Sequence, residues 1–164
     1  RSLHDRLTGL PNRELLEDRV AQLLARARRD SGCHAGLYID LDGFKAINDT
    51  LGHDQGDAVL CTVARRLVAA VRQTDTVSRL GGDEFCLLVA GRQVQHIARM
   101  ANYIVASART LRQMQTAPPQ ITTLSIGACV IGDDEHDWEH WYAHADTALY
   151  RAKRLGGDRV EWQD

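Results

Sequence analysis

The stretch TVSRLGGDEFCLLVA, residues 76–90, predicts a β-hairpin, because two strand-like runs flank a pair of glycines. Gly81 and Gly82 tolerate the positive φ that a tight hairpin turn requires. Two acids, Asp83 and Glu84, follow the glycines and begin the second arm of the hairpin. Adjacent carboxylates at the mouth of a turn repel each other, so we expect the fold to supply a group that neutralises them.

A second acidic strand end precedes the hairpin. The segment GLYIDLD, residues 36–42, alternates apolar and polar side chains with a period of two, which predicts a strand. Leu37, Ile39 and Leu41 fall on one face of this strand. Asp40 and Asp42 fall on the other face, so both carboxylates point the same way.

The remaining pattern predicts helices that alternate with strands. Apolar residues at helical spacing indicate five helices, over 12–29, 44–51, 57–71, 93–111 and 138–152. Asn12 is the expected N-cap of the first helix, and the polar break GHDQG separates the second helix from the third, which ends at about Val71. Two further strands are predicted over 121–131 and 159–162, the last one after the helix-breaking pair Gly156 and Gly157.

Without the flanking elements, the order is strand, helix, strand, strand, helix, strand, which is the βαββαβ arrangement of ferredoxin-like folds. We therefore predict an α+β protein with a mostly antiparallel sheet flanked by helices, an added N-terminal helix and an added C-terminal helix and strand. Right-handed crossovers bring the first strand alongside the hairpin, so Asp40 and Asp83 should approach each other.

Composition narrows the class of ligand. The 164 residues suit one domain, 1–164, and 44% hydrophobic with 26% charged residues is typical of a globular protein. No apolar run reaches the roughly 20 residues that span a bilayer, and nothing resembles a secretion signal.

A net charge of −2 with dispersed basic residues disfavours a DNA partner. Four cysteines without CxxC spacing indicate buried thiols in a reducing cytoplasm, and small ligands are the expected partners.

The acids Asp40, Asp83 and Glu84 together predict a site for a divalent cation. Burying unpaired carboxylates costs on the order of several kcal/mol or shifts their pKa values, and a cation removes this conflict. Mg²⁺ is usually held by one or two carboxylates together with substrate phosphates. A solvated turn whose acids stand together by chance is the alternative.

Other chemistries are weaker in this sequence. It contains neither a G-x-x-x-x-G-K-[ST] phosphate loop nor a G-x-S-x-G nucleophile elbow. The spacing of His140 and His144 suits a metal site on a helix, but HWYAH lacks the glutamate of zinc proteases. With His136, these histidines are interpreted as a polar helix face.

Five motifs, in order, cover nearly the whole chain. They are DRLTGLPNR (5–13), DLDGFKAINDTLGHDQGD (40–57), RLGGDEF (79–85), SIGA (125–128) and ADTALYRAK (145–153). Through them the chain resembles the GGDEF domains, the diguanylate cyclases that join two GTP molecules into cyclic di-GMP with Mg²⁺, or Mn²⁺ as an alternative ion.

The resemblance implies catalytic and metal-binding roles. Asp40 and Asp83 would coordinate the metal with the carbonyl of Leu41, and Asp83 would also deprotonate or orient the attacking 3′-hydroxyl. Glu84 would support a second metal position. For Asp40, an N-cap of the following helix is the alternative.

The resemblance also implies a nucleotide pocket. Asn48 and Asp57 would read guanine, since a carboxylate accepts from the ring N1 and exocyclic amine while an amide both donates and accepts. Either residue could instead cap a helix. The other implied nucleotide contacts, with ordinary surface or core positions as the alternative, are Phe44, Lys45, His53 and Lys153.

One position departs from the family pattern. Where the family commonly has K-x-x-G-R-N-R, this chain has KRLGGDR, so Gly157 replaces an arginine expected to contact phosphate. Losing one charge-assisted contact should weaken binding by about 1.5–3 kcal/mol without abolishing the chemistry. Arg154 and Arg159 are candidates to compensate.

The segment RQTD, Arg72 to Asp75, matches the RxxD motif at which the family binds its product and restrains the enzyme. Arginine suits this role because its planar fork matches phosphate and guanine edges. A basic residue favoured by a helix C-terminus is the alternative.

The product contains two nucleotides and one domain offers one pocket, so catalysis predicts a transient two-fold homodimer. We expect a sensory or dimerising region before Arg1 in a longer signalling protein, for which membrane attachment stays open. Two rival functions remain open. One is a GTP-binding regulator of an attached cyclic di-GMP phosphodiesterase, and the other is a cyclic di-GMP receptor that works through Arg72 and Asp75.

Overall fold

The structure is a computed structural model that describes residues 2–27, 33–115, 118–131 and 138–163. Five helices and five strands lie within these residues. The helices are α1 (Arg13–Ala27), α2 (Phe44–Leu51), α3 (His53–Ala70), α4 (Val94–Met114) and α5 (Trp138–Arg154). The strands are β1 (Cys33–Leu41), β2 (Thr76–Gly81), β3 (Glu84–Arg92), β4 (Leu124–Ile131) and β5 (Arg159–Trp162).

One mixed sheet has the strand order β2-β3-β1-β4-β5. The first four strands in this order pair antiparallel, and β5 pairs parallel to β4. The predicted α+β fold with a ferredoxin-like core is confirmed, with α1 before the core and α5 and β5 after it. Because β1 lies beside β3, Asp40 is directly opposite Glu84 across the two strands.

The alternation in β1 separates two cores, as the period of two predicts. Leu37, Ile39 and Leu41 lie in a cluster with the buried faces of α2, α3 and α4. Tyr38 lies on the opposite face, in a cluster with α1 and α5 that includes Trp141. Fully burying one such apolar side chain contributes about 1.5–3 kcal/mol, so this pattern is sufficient to orient Asp40 toward the α1 and α5 side.

One predicted helix boundary is wrong. The helix predicted from Asp57 begins at His53, so only Gly52 separates α2 from α3. Gly52 takes φ 90° and donates its N–H to the Asn48 carbonyl, which ends α2 and turns the chain at one residue. Asp57 is therefore not the residue that opens the helix, and the capping alternative for it is excluded.

The other boundaries differ by a few residues at most. Asn12 caps α1 as predicted, accepting the Leu15 N–H at 3.1 Å through its side chain. The end of that predicted helix, 28–29, lies outside the described residues. Helix α4 continues to Met114 and β4 begins at Leu124, three residues after the predicted start.

The cysteine and histidine predictions have mixed outcomes. Cys86 and Cys129 are buried as predicted, but Cys61 is only half-buried, because its position on α3 borders the surface. The side chain of Cys33 lies outside what the structure describes. His140 and His144 are exposed on α5, as a polar helix face requires, and His136 lies outside the described residues.

A membrane span is not found among the described residues: no helix there is both long and apolar enough to cross a bilayer.

Candidate active site

The hairpin turn presents its backbone to solvent. Gly82 and Asp83 form the turn, while Gly81 ends β2 and Glu84 begins β3. The second arm was predicted to begin at Asp83, so it begins one residue later than predicted. Gly81 and Gly82 take φ values of 138° and 50°, and a Cβ atom at either position would meet no atom within 4 Å. A ligand can therefore approach the backbone beside Asp83 closely.

Arg79 ties this turn to the N-terminal segment. Its guanidinium donates to the Gly82 carbonyl at 2.8 and 3.1 Å and to Asp5 Oδ1 at 3.0 Å. Burial alone would raise the pKa of Asp5, but hydrogen bonds from Thr8 and the charge of Arg79 hold that pKa below its usual value. Our sequence reasoning gave Arg79 no role, although it is the first residue of RLGGDEF.

The predicted approach of Asp40 and Asp83 is confirmed. The Leu41 N–H donates to the Asp83 carbonyl at 3.4 Å where β1 meets the turn. Burial, a side-chain hydrogen bond with Asp83 and the charge of Asp83 raise the pKa of Asp40 to about 7. The Oδ1 atom of Asp40 is buried and has no hydrogen-bond partner among the described residues. Asp40 does not cap α2, because Gly43 occupies the N-cap position.

Lys153 of α5 supplies the counter-charge. Its Nζ lies 3.2 Å from Asp40 Oδ2 and 3.2 Å from Asp42 Oδ1. Burial would lower the pKa of Lys153, but the two carboxylates raise it above its usual value. The α5 residue that the resemblance assigned to nucleotide contact thus lies at the acidic strand end.

Asp42 is a connecting residue that sequence reasoning did not single out. Besides Lys153, its carboxylate accepts hydrogen bonds from Thr123 Oγ1 at 2.8 Å, Ser125 Oγ at 2.6 Å and the Asp158 N–H at 2.9 Å. These bonds join the end of β1 to β4 and to the segment between α5 and β5. The signal was present, since the alternation of β1 puts Asp42 on the same face as Asp40.

Glu84 has an aromatic hydroxyl as its hydrogen-bond partner. The Tyr38 hydroxyl donates a short hydrogen bond to Glu84 Oε2, and the hydroxyls of Tyr38 and Tyr142 lie 2.7 Å apart. Burial, followed by these two hydrogen bonds, raises the pKa of Tyr38 well above its usual value, so the hydroxyl keeps its proton.

Across the described ranges, no three acidic, histidine or cysteine side chains form a ready cluster for a metal ion. Asp40 and Asp83 form a close pair, and Glu84, opposite Asp40 across β1 and β3, is bound to Tyr38. The metal role predicted for Glu84 stays a prediction.

This pair fits a Mg²⁺ ion. The donors are all oxygens, and one buried carboxylate oxygen of Asp40 has no hydrogen-bond partner within the described ranges. Burial first, and then the neighbouring Asp83 carboxylate, raise the pKa of Asp40. Mg²⁺ typically uses one or two protein carboxylates and completes its shell with water and phosphate oxygens. Asp40 and Asp83 could hold it, with the Leu41 carbonyl nearby in the chain.

The candidate guanine residues lie where α2 packs against α3. A Cβ atom at Gly56 would come within 1.9 Å of Asn48 Oδ1, so this glycine lets the Asn48 side chain lie against α3, one residue before Asp57. Asp57 is exposed and Asn48 half-buried. Lys45 and His53 are also exposed on these helices.

Phe44 is only 9% exposed and belongs to the large core cluster. Phe44 therefore occupies a core position, and its predicted place at the pocket wall stays a prediction.

Comparison with known proteins decides the family. A family profile described as "Diguanylate cyclase, GGDEF domain" matches residues 2–159. This chain is a GGDEF domain. The resemblance inferred from its motifs is thus confirmed.

Relatives and solved structures agree with this assignment. The chain is 43% identical over 155 residues to the bifunctional diguanylate cyclase/cyclic di-GMP phosphodiesterase MucR of Pseudomonas aeruginosa, covering 94% of this chain and 22% of MucR. The GGDEF domain of TpbB from Pseudomonas aeruginosa is 36% identical with a TM-score of 0.88, over 98% of this chain and 94% of that one. The GGDEF domain of DgcB from Caulobacter crescentus, in complex with c-di-GMP, is 28% identical with a TM-score of 0.89, over 100% and 95% of the two chains.

In this GGDEF domain the RxxD segment forms a closed turn. Asp75 accepts the Arg72 N–H at 3.0 Å and the Ala90 N–H at 3.4 Å, and its side chain is fully buried. The Arg72 guanidinium donates to the Ala90 carbonyl at 2.7 Å and stays 47% exposed. Helix α3 ends at Ala70, so Arg72 lies two residues beyond it and its guanidinium is bound at β3.

Gly157 lies in a left-handed turn at the acidic strand end. It takes φ 72°, and a Cβ atom there would come within 3.0 Å of the Asp42 carboxylate. Arg159 donates to the Gly157 carbonyl at 3.1 Å, whereas Arg154 lies over the Tyr150 ring at 6.0 Å. Of the two candidates to compensate for the missing arginine, Arg159 is therefore the one that lies beside this turn.

Proposed function

We propose that this GGDEF domain is a diguanylate cyclase that condenses two GTP molecules into cyclic di-GMP and two pyrophosphates. The observation that carries the proposal is the Asp40–Asp83 pair beside an open glycine turn. The pKa of Asp40 is raised, and one of its buried carboxylate oxygens has no hydrogen-bond partner in the part of the chain that the structure describes. Such a pair favours binding of a divalent cation with a phosphorylated substrate. The match of the whole chain to the family supports the same reaction.

Asp40, Asp83 and the Leu41 carbonyl would hold Mg²⁺, or Mn²⁺ in its place, with Glu84 at a second position. The ion would polarise the α-phosphate and neutralise the leaving pyrophosphate. Asp83 is half-buried in the turn, and it would accept the proton of the attacking 3′-hydroxyl or orient that hydroxyl. Lys153 would balance the negative charge of Asp40 and Asp42 until the nucleotide arrives.

The nucleotide would extend from the acidic strand end to the α2–α3 junction. Asn48 and Asp57 would pair with the guanine edge, since together they offer the acceptors and the donor that guanine requires and adenine does not match. Lys45 and His53 would lie toward the phosphates or the sugar. Phe44 would support this wall of the pocket from the core.

Catalysis would require a two-fold homodimer. The proposed site would bind one nucleotide, and the product has two equivalent linkages, so each 3′-hydroxyl would attack the α-phosphate held by the partner subunit. The product would inhibit by binding Arg72, whose half-exposed guanidinium is oriented by the buried Asp75 turn. The complex of DgcB with c-di-GMP supports product binding by a GGDEF domain of this architecture.

The domain would act as one unit, 1–164, of a longer cytoplasmic or membrane-attached signalling protein. The chain spans about a fifth of the length of MucR, which supports this context. An input region that brings two copies together would then control the rate.

An enforced dimer tests the proposal. The chain is fused to a parallel leucine zipper, supplied with GTP and Mg²⁺, and assayed for cyclic di-GMP by chromatography, with Asp83→Ala as the control. We expect product from the fusion and none from the control. GTP binding without product in the enforced dimer would contradict the proposal.

A GTP-binding regulatory module is the second candidate, and two observations favour it. Gly157 occupies the position of an expected phosphate-contacting arginine, and the relative MucR is a bifunctional cyclase and phosphodiesterase. Binding of cyclic di-GMP alone, abolished by Arg72→Ala, would instead indicate a product receptor.

A further inference from the structure

Glu84 is bound by Tyr38, whose hydroxyl is in turn bound to Tyr142. Tyr38 of β1 is only 2% exposed, and its hydroxyl donates to Glu84 Oε2. That hydroxyl has one proton, so the 2.7 Å contact with Tyr142 requires the Tyr142 hydroxyl to donate to the Tyr38 oxygen. Two hydrogen bonds in series therefore run from α5 through β1 to the acid of β3.

Packing holds the tyrosine pair in place. The rings of Tyr38 and Tyr142 contact each other with centroids 4.9 Å apart, and the Trp138 ring lies 5.1 Å from that of Tyr142. The Arg13 guanidinium covers the Tyr142 ring at 5.4 Å. With neighbours on several sides, neither hydroxyl can move far from Glu84 without repacking this cluster.

The Tyr38 hydroxyl is not explained by packing. A phenylalanine would fill the same space between β1 and α5, and a buried hydroxyl costs free energy unless it is paired. Here it is paired with a carboxylate, which gives a charge-assisted bond, stronger than a neutral one. The hydrogen bond from Tyr38 engages Oε2 of Glu84, not Oε1.

We propose that Tyr38, supported by Tyr142, is a positioning residue that fixes the Glu84 carboxylate for the metal–nucleotide complex. The inference rests on the proposed function, because it assigns Glu84 to that complex. Acids that contact a metal are commonly oriented by such outer hydrogen bonds, and removing one typically costs about 10–100-fold in metal affinity or activity. Asp40 and Asp83 remain in place without Tyr38, so some metal binding should persist.

A double-mutant cycle tests the proposal. Mn²⁺ affinity is measured by electron paramagnetic resonance with 3′-deoxy-GTP, which lacks the attacking hydroxyl. The proteins are the original chain, Tyr38→Phe, Glu84→Ala and the double variant. We expect Tyr38→Phe to weaken Mn²⁺ binding about 10-fold on its own and less than about two-fold when Glu84 is already alanine. Tyr142→Phe should give a smaller loss, and Tyr103→Phe, on the distant helix α4, none.

A metal-free measurement guards against poor folding of one variant. The ¹³C resonance of the Glu84 carboxylate, assigned by its loss in Glu84→Ala, should shift in Tyr38→Phe and stay unchanged in Tyr103→Phe. The proposal is overturned if Tyr38→Phe binds Mn²⁺ as tightly as the original chain does. It is also overturned if Tyr38→Phe causes the same loss of Mn²⁺ affinity whether residue 84 is glutamate or alanine. A coupled loss supports it even if the enforced dimer makes no cyclic di-GMP, a result that would contradict the cyclase alone.

Discussion

Replacing Asp42 with asparagine should destabilise the domain, because every group around its carboxylate donates a hydrogen bond. Thr123, Ser125, the Asp158 N–H and Lys153 all direct donors at its two oxygens, at 2.6–3.2 Å. The asparagine amide has one acceptor oxygen and one NH₂ group, so the NH₂ must face donors. The two hydroxyls can rotate to accept, but the backbone N–H and the ammonium cannot.

The magnitude follows from the lost bonds. One hydrogen bond to a charged group contributes about 1.5–3 kcal/mol, and at least one such bond is lost in Asp42→Asn. A domain of this size shifts its Tm by about 2–4 °C per kcal/mol, so Tm should fall by about 3–12 °C. Thermal unfolding followed by circular dichroism without ligand measures this directly.

Asp49→Asn provides the matched control. Asp49 is exposed on α2, and the same substitution there should change Tm by less than about 2 °C, since exposed substitutions typically stay within ±0.5 kcal/mol. If Asp42→Asn is no more destabilising than Asp49→Asn, then the four contacts do not stabilise the native state and Asp42 does not join β1, β4 and the segment after α5 as described.

Three further outcomes are expected. Asp40 should make the ligand-free protein less stable as pH rises from 3.8 to about 7, because native Asp40 retains a proton that the unfolded chain releases. Urea unfolding at several pH values measures this. If the unfolding free energy of Asp40→Asn depends on pH in the same way, the expectation is contradicted. Arg79→Leu should weaken binding of 3′-deoxy-GTP by about 1.5–3 kcal/mol, measured by calorimetry, because the Gly82 carbonyl loses the guanidinium that holds the turn. Arg72→Ala should raise the inhibition constant for cyclic di-GMP at least about tenfold with little change in Tm. Asp75→Ala should lower Tm, since the Asp75 side chain is fully buried. Equal changes in Tm for the two variants would refute a ligand-binding role for Arg72 beside a structural role for Asp75.

Local patterns in the sequence were sufficient for much of the fold. The period of two in β1, the glycines before Asp83 and the order of elements predicted the sheet and the meeting of Asp40 with Asp83. These features depend on backbone preferences and on which face of a strand is apolar, and both are encoded by near neighbours. The start of α3 was predicted four residues too late, because the polar residues after Gly52 resemble a loop in composition although they form a helical turn.

Contacts between distant elements were decided only by the tertiary structure. Lys153 reaches Asp40 and Asp42 because α5 packs across the face of β1, and no local pattern specifies that reach. The third acid, Glu84, lies opposite Asp40, and strand register brings the Tyr38 hydroxyl to it, a contact that no local pattern predicted. Sequence spacing determines which face of an element a residue occupies. Which of several acids on that face receives a given donor depends on the packing of elements far apart in the chain.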